Sequence, residues 1–255
     1  MRIVLYMSVI LLFFTSFHVA AYDSASESTE DKYVTAAYGL GFDFTSFNTD
    51  LTSTYQNILQ SEGYSDPEVF YNISSVALNA LRIIGKLPEE KKISAILYFE
   101  LGILIQAGEI NTIYKDDSEI KAEESLSYYD GGTGVDFIMG PGINYHPFKN
   151  FYLIAAGGTH LKGFLGVSSD SDYSFFTMAS LGIGTVIMAE YRFSNNVGVM
   201  LGFNSSYNLL NIQYGLDDDY YDNFGGSSFS VTPSIFVTIT NKMKTKLKKE
   251  KATLM

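Results

Sequence analysis

Residues 181–203, "LGIGTVIMAEYRFSNNVGVMLGF", alternate with a period of two on both sides of Ser194-Asn195-Asn196. Leu181, Ile183, Ile187, Tyr191 and Phe193 hold odd positions with Thr185 and Ala189 between them, while Gly182, Gly184, Glu190 and Arg192 hold even ones. Beyond the turn, Val197, Val199, Leu201 and Phe203 stand against Gly198, Gly202 and Asn204. Strand side chains point alternately to two faces, so this stretch reads as two strands and a tight turn. One face is bulky and apolar, and the other is glycine, amide and charge. A fold made of such strands must offer each face its own environment.

The same period extends to eight segments: 33–46, 70–84, 93–107, 132–146, 150–165, 174–193, 197–210 and 227–240. In 70–84 the alternation is poor, and a helical reading of "SSVALNALRIIG" competes with the strand. The connections alternate in length. Those near 85–92, 146–150 and 194–196 are short, and those at 47–69, 115–131, 166–173 and 211–226 are long and polar or acidic. Within 47–69, Tyr55, Ile58, Leu59 and Glu62 are spaced to allow a short helix. Short and long connections therefore fall at opposite ends of an up-and-down meander, and both chain ends lie with the short turns. Pro141 and Pro233 sit inside proposed strands, where bulges or shortened pairing are expected.

Alternation alone does not say which face points outward, and a soluble barrel with its apolar set inside is the rival arrangement. Three features favour the apolar set outside. The segments are far longer than the usual soluble strand of about 5–6 residues. The polar face is rich in glycine, which suits the narrow interior of an eight-stranded barrel. Aromatics collect at strand ends: Tyr145, Phe148, Phe151, Tyr191 and Phe193 near the short turns, and Phe42, Phe44, Phe175, Phe203, Tyr207 and Phe229 near the long loops. Two aromatic belts around an apolar band mark a membrane-crossing barrel.

The ends agree with export. Residues 1–21 read as a signal peptide: Arg2, an apolar run from Ile3 to Phe14, and Val19-Ala20-Ala21 before the cleavage point. An uncleaved anchor is the alternative. Residues 22–32 read as a disordered lead, 33–240 as the barrel, and 241–255 as a Lys-rich tail that meets either anionic headgroups or solvent. The chain has no Cys, so it holds neither a disulfide framework nor a lipidated Cys. Its net charge of −11 argues against a nucleic-acid partner.

With this architecture, and with its "YHPF" and "EYRFSNN" turn stretches, the chain resembles the small eight-stranded bacterial outer-membrane barrels, the opacity-protein and OmpA-transmembrane-domain kind. The resemblance spans nearly all of 33–240. It implies an all-β, closed antiparallel up-and-down transmembrane barrel in the outer membrane, with lipid and the barrel assembly machinery as partners. Such barrels end on an aromatic residue in the last strand, whereas "NKMKTKLKKEKATLM" follows Thr240 here.

Carried through, the alternation turns Asp43, Arg82, Glu100, Asp136, His160, Lys162, Glu190 and Arg192 inward. Charges in a narrow lumen must be paired or solvated. The near balance of sign favours pairing and a plugged barrel over a small pore or a conduit for apolar solutes. His160 and Asp136 on neighbouring strands are a candidate base and orienter, but no serine is placed to complete a catalytic set, and catalysis is not assigned. His146, before Pro147, is expected in a turn. The long loops concentrate carboxylates and tyrosines, foremost Asp217, Asp218, Asp219, Tyr220, Tyr221 and Asp222. Their spacing matches no divalent-cation loop, so neither metal nor cofactor is assigned. Stiff tyrosines among short polar residues suit contact with a host or cell-surface ligand. The chain is expected to act as a monomer.

Overall fold

The computed structural model describes residues 33–48, 53–85, 93–116, 119–126, 129–168, 175–194, 196–215 and 223–242. The signal-peptide reading, the disordered lead, the acidic cluster at 217–222 and the tail beyond Lys242 lie outside the described residues. In chain order the elements are β1 (Tyr33–Asn48), α1 (Ser53–Ser61), β2 (Pro67–Gly85), β3 (Ile93–Gln106), β4 (Ile110–Asp116), β5 (Glu119–Leu126), β6 (Tyr129–Phe148), β7 (Phe151–Ser168), β8 (Phe175–Arg192), β9 (Val197–Gly215), β10 (Asn223–Phe224) and β11 (Ser228–Lys242).

Eight strands close into a barrel. Going round, β1 pairs β11, then come β9, β8, β7, β6, β3 and β2, and β2 pairs β1 again, every pair antiparallel. Closure leaves none of these eight strands with a free edge at the level of the band. The outer face is apolar all round: Leu40, Leu78, Ile103, Ile143, Leu161, Ile187, Leu201 and Ile235, one from each strand, are exposed. A soluble protein does not leave so continuous an apolar surface in water. Phe148, Tyr191 and Phe193 flank the band at the short-turn end, and Phe42, Phe44, Tyr207 and Phe229 at the other. The fold is a transmembrane β-barrel, with the bulky face turned to hydrocarbon and each of the eight strands paired on both sides.

Three expectations change. The first concerns Arg82 in 70–84, a segment that is strand throughout, in β2, as the first of its two readings had it. Its alternation is weak because both faces are apolar over part of its length: Leu81 and Ile83 are buried inside, while Val76, Leu78 and Ile84 face out. That parity overturns the inward placement of Arg82, which is exposed on the outer face beside Ala80. Near the short-turn end its long side chain can keep its aliphatic stem in the apolar band and its charge at the interface.

The second concerns 115–131, read from the sequence as a polar loop. It holds the second strand of a hairpin instead, because β5 pairs with β4, which begins at Ile110 and continues alongside the upper part of β2. Glu and Lys at 119–124 hid the strand, since an element that stands clear of lipid needs no apolar face. The third concerns His146, which lies within β6 rather than in the turn. At the two prolines the structure shows the shortened pairing that was one of the two outcomes expected there, and not a bulge. Pairing of β6 with β7 skips from Met139–Thr159 to Gly142–Ala156, and pairing of β1 with β11 skips from Gly41–Ser234 to Phe44–Val231. Register is kept across both gaps. Pro141 and Pro233 remove one donor each while their rings face outward.

Candidate functional site

The interior of the barrel is built in layers, each dictated by which side chains the pleat turns inward. Nearest the short turns, Glu190 and Arg192 are two apart on β8 and so share the inner face. Arg192 Nε and Nη2 donate to the two Glu190 oxygens at 3.0 and 2.8 Å, a bidentate pair. Thr238 Oγ1 donates to Glu190 Oε1 at 2.6 Å from β11, two strands away. Gly198 of β9, paired with both Arg192 and Thr238, makes that reach possible. A Cβ there would sit 2.8 Å from Thr238 Oγ1. The Arg192 guanidinium lies 4.0 Å over the Tyr152 ring, and His146 stacks on Tyr152 at 4.5 Å.

Above this layer comes a dry one. Ala37, Leu81, Ile83, Ile96, Tyr98, Ile138, Ile154, Val186, Met188, Met200 and Phe236 form one buried cluster inside the barrel. The sequence reading made this face rich in glycine and small residues, and the apolar layer stands among them. The eight-stranded lumen is narrow enough for a few bulky side chains to fill it.

Polar groups return above the seal. The Tyr98 hydroxyl donates to Glu100 Oε2, and Asn204 Nδ2 donates to the same oxygen at 2.7 Å. Asn79 Nδ2 donates to Ser234 Oγ at 3.0 Å. The next layer holds the most charge. Lys162 Nζ donates to Asp43 Oδ2 at 2.6 Å and to Thr45 Oγ1 at 2.7 Å, and stands 3.9 Å from Asp136 Oδ2. Thr45 and Thr232 donate to the two Asp43 oxygens, each at 2.8 Å. His160 places Nε2 2.5 Å from Asp136 Oδ1 and Nδ1 2.7 Å from Asn208 Oδ1. Asn208 Nδ2 donates to Ser228 Oγ at 2.9 Å, which fixes its amide orientation. Ser228 Oγ in turn donates to Asn211 Oδ1 at 3.1 Å. Lys162 and Asp43 are each 1 % exposed at the side chain, so they stand or fall as a pair.

The long-loop end is closed by a second apolar cluster. Phe47, Leu59, Val69, Tyr71, Ile73, Ile110, Phe164 and Met178 are buried together, with Tyr64 and Tyr114 packed against them. Leu59 comes from α1, which therefore lies over the mouth. Asp116 anchors this cap. Its Oδ1 accepts from the Asp66 amide at 2.7 Å, the Ser65 amide at 2.9 Å and the Ser65 hydroxyl at 3.0 Å. Those donors, the Asp66 amide foremost, hold the Asp116 carboxyl below its ordinary range.

Of the residues singled out in the sequence, the structure brings Asp43, Asp136, His160 and Lys162 into one network and Glu190 and Arg192 into another. Glu100 lies between them and Arg82 lies outside the lumen. The partners that complete these networks are mostly neutral. Asn204 and Asn208 were legible as inward amides on β9 by parity. Parity also turned Thr238 inward, but its contact with Glu190, like the place of Tyr152 under Arg192, depends on which strands become neighbours. Among the described residues, no group of three or more His, Asp or Glu is arranged to hold a metal ion.

No known family matches the sequence, and no curated protein does so either. Solved structures with a similar strand arrangement include the outer membrane protease OmpT from Escherichia coli, at 10% identity and a TM-score of 0.42, covering 86% of this chain and 100% of that one. Ail, the attachment invasion locus protein of Yersinia pestis, aligns at 8% identity and a TM-score of 0.44, over 84% of this chain and 100% of that one. The outer membrane protein AlkL in lipid bilayers aligns at 11% identity and a TM-score of 0.49, over 84% of this chain and 92% of that one. The membrane assignment of the present chain stands on its own apolar exterior.

Proposed function

We propose that this chain is an outer-membrane protein whose barrel is a closed pedestal, and that its work is contact at the cell surface through the structure raised on the long-loop end. The observation that carries this reading is the two-fold seal: a dry layer centred on Ile154, Met188 and Met200, and a second one of Phe47, Phe164 and Met178 under Leu59. Between them Lys162, Asp43, Asp136 and His160 are paired with one another and Glu100 is held by Tyr98 and Asn204, rather than lining a path. Beyond the band, α1, the β4–β5 hairpin and the acidic connections offer surface, with the short turns towards the periplasm. Lipid and the assembly machinery are its structural partners, a host or cell-surface ligand its functional one, and the monomer its working state. His160 engages a carboxylate and an amide with its two ring nitrogens, which supports a structural histidine rather than a catalytic base.

Single-channel recording in planar bilayers tests the seal. The expected result is no steady current. Unitary currents that change when Glu100 or Lys162 is neutralised overturn the reading in favour of a narrow pore. Binding of the reconstituted protein to matrix proteins, with and without "GLDDDYYDNF" (residues 215–224), tests the contact role. Binding that survives the deletion unchanged removes that loop from it.

A further inference from the structure

Strands β2 and β4 run on together past the apolar band. Their inner faces belong to the cap, through Val69, Tyr71 and Ile110. Their outer faces carry Asn72 opposite Asn111, Phe70 opposite Ile113 and Glu68 opposite Lys115. Opposed side chains share a face, so these pairs form one strip. Glu68 and Asn111 are exposed and the others half-buried, and Lys115 Nζ lies 4.2 Å over the Phe70 ring. The strip continues the lipid-facing column of Leu78 and Val76 on β2 and Ile103 and Ile105 on β3. From Val76 to Phe70 the strand advances about 20 Å, of which about 15 Å is height at the usual barrel tilt. Phospholipid headgroups occupy only about 5–8 Å beyond the hydrocarbon. Phe70 and Ile113 therefore face outward above that layer, where water offers an apolar pair no favourable contact.

We propose that this strip docks the oligosaccharide headgroup of a glycolipid whose acyl chains lie against Val76, Leu78, Ile103 and Ile105. The paired amides of Asn72 and Asn111 offer donors and acceptors side by side, as neighbouring sugar hydroxyls require. Phe70 and Ile113 supply the apolar contact that the C–H face of a sugar ring takes. Glu68 and Lys115 add one acceptor and one set of donors of opposite charge, so the strip favours neither an anion nor a cation. A phosphate alone would turn the Glu68 carboxylate and two amide oxygens towards a negative group.

Continuity with the lipid-facing wall singles out a lipid-borne sugar. A chain anchored in the band below presents its headgroup to the strip at high local concentration, so weak individual contacts are enough. The proposal rests on the reading that the long-loop end faces the cell exterior, because the glycolipid must lie in that leaflet.

The test uses the full chain labelled with ¹⁵N-asparagine in phosphatidylcholine vesicles, reading the side-chain amide resonances of Asn72 and Asn111 as rough lipopolysaccharide replaces phosphatidylcholine. Lipid A, which has the acyl chains and phosphates without the outer oligosaccharide, and phosphatidylglycerol are the controls. Lipopolysaccharide is expected to shift both resonances saturably while Asn208 in the lumen stays in place, and the controls to shift neither. Phe70→Ala with Ile113→Ser is expected to raise the half-saturating fraction about tenfold, while heat-modifiable gel migration shows the barrel intact. Equal shifts with lipid A or phosphatidylglycerol overturn the sugar assignment. No shift in any vesicle overturns the proposal and leaves Phe70 and Ile113 to a protein partner. Orientation is read separately: Glu119→Cys, in a chain that otherwise has no Cys, is expected to react with an impermeant maleimide on intact cells. Reaction only after lysis overturns the outward reading and the proposal together, whereas reaction on intact cells with no shift in vesicles overturns the proposal alone.

Discussion

Lys162 and Asp43 are 119 residues apart in sequence and meet at 2.6 Å in the centre of the barrel, on strands that are not neighbours. Neither charge has bulk water to fall back on. Lys162→Ala strands Asp43 and leaves Asp136 with His160 alone, and is expected to cost about 3–5 kcal/mol, the usual penalty for breaking a buried pair. The double variant Lys162→Met with Asp43→Asn is expected to recover most of that loss. Urea unfolding in lipid vesicles measures both, and a double variant no better than the single one counts against the pairing.

The direction of the pleat has an optical test, because the chain contains no Trp. Ile235 is exposed on the outer face and Phe236, the next residue, is buried in the lumen. Ile235→Trp is expected to be quenched strongly by brominated acyl chains and Phe236→Trp weakly. Equal quenching of the two would contradict the outward orientation of the apolar set.

The cap over the long-loop mouth is expected to loosen in acid. The Asp116 carboxyl is held below its ordinary value by the Asp66 and Ser65 donors. A depressed value means that its contribution is fully present above the ordinary carboxyl range and is lost as pH falls through the lowered value. Hydrogen exchange at the Ser65 and Asp66 amides, corrected for intrinsic rate, is expected to accelerate over that window. Asp116→Asn is expected to abolish the pH dependence, and an unchanged profile in that variant would point to another group.

Gly198 is expected to tolerate no side chain. A Cβ would lie 2.6 Å from the Tyr191 carbonyl oxygen and 2.8 Å from Thr238 Oγ1, so Gly198→Ala must push strands β8 and β11 away from β9 or break the Thr238–Glu190 bond. A loss of about 1–3 kcal/mol, the range for overpacking a tight site, is expected in the same urea measurement. Gly157→Ala serves as a control, since the nearest atom to its Cβ is 3.4 Å away.

How much of this was legible follows from what each signal depends on. On β8 and β9 the outer face is bulky throughout and the polar residues Glu190, Arg192 and Asn204 all fall on the other parity, so parity alone sorted them correctly even though Val186, Met188 and Met200 share that inner face. On β2 the inner face meets the dry layer and is as apolar as the outer one, and the same rule misplaced Arg82. Strand β5 of the β4–β5 hairpin is rich in Glu and Lys because it meets no lipid, so its composition reads as loop.

The sequence by itself determined that the chain would be a meander of long strands with two unlike faces and with short and long connections at opposite ends, because a strand's side-chain period is local and each residue carries it alone. Only the tertiary structure decided who meets whom across the lumen: that Lys162 finds Asp43, that Thr238 reaches Glu190 past Gly198, and that Met188, Met200 and Phe236 close the passage. Those contacts depend on closure and stagger, which set the height of each residue against strands far away in the chain, and no local pattern encodes that height.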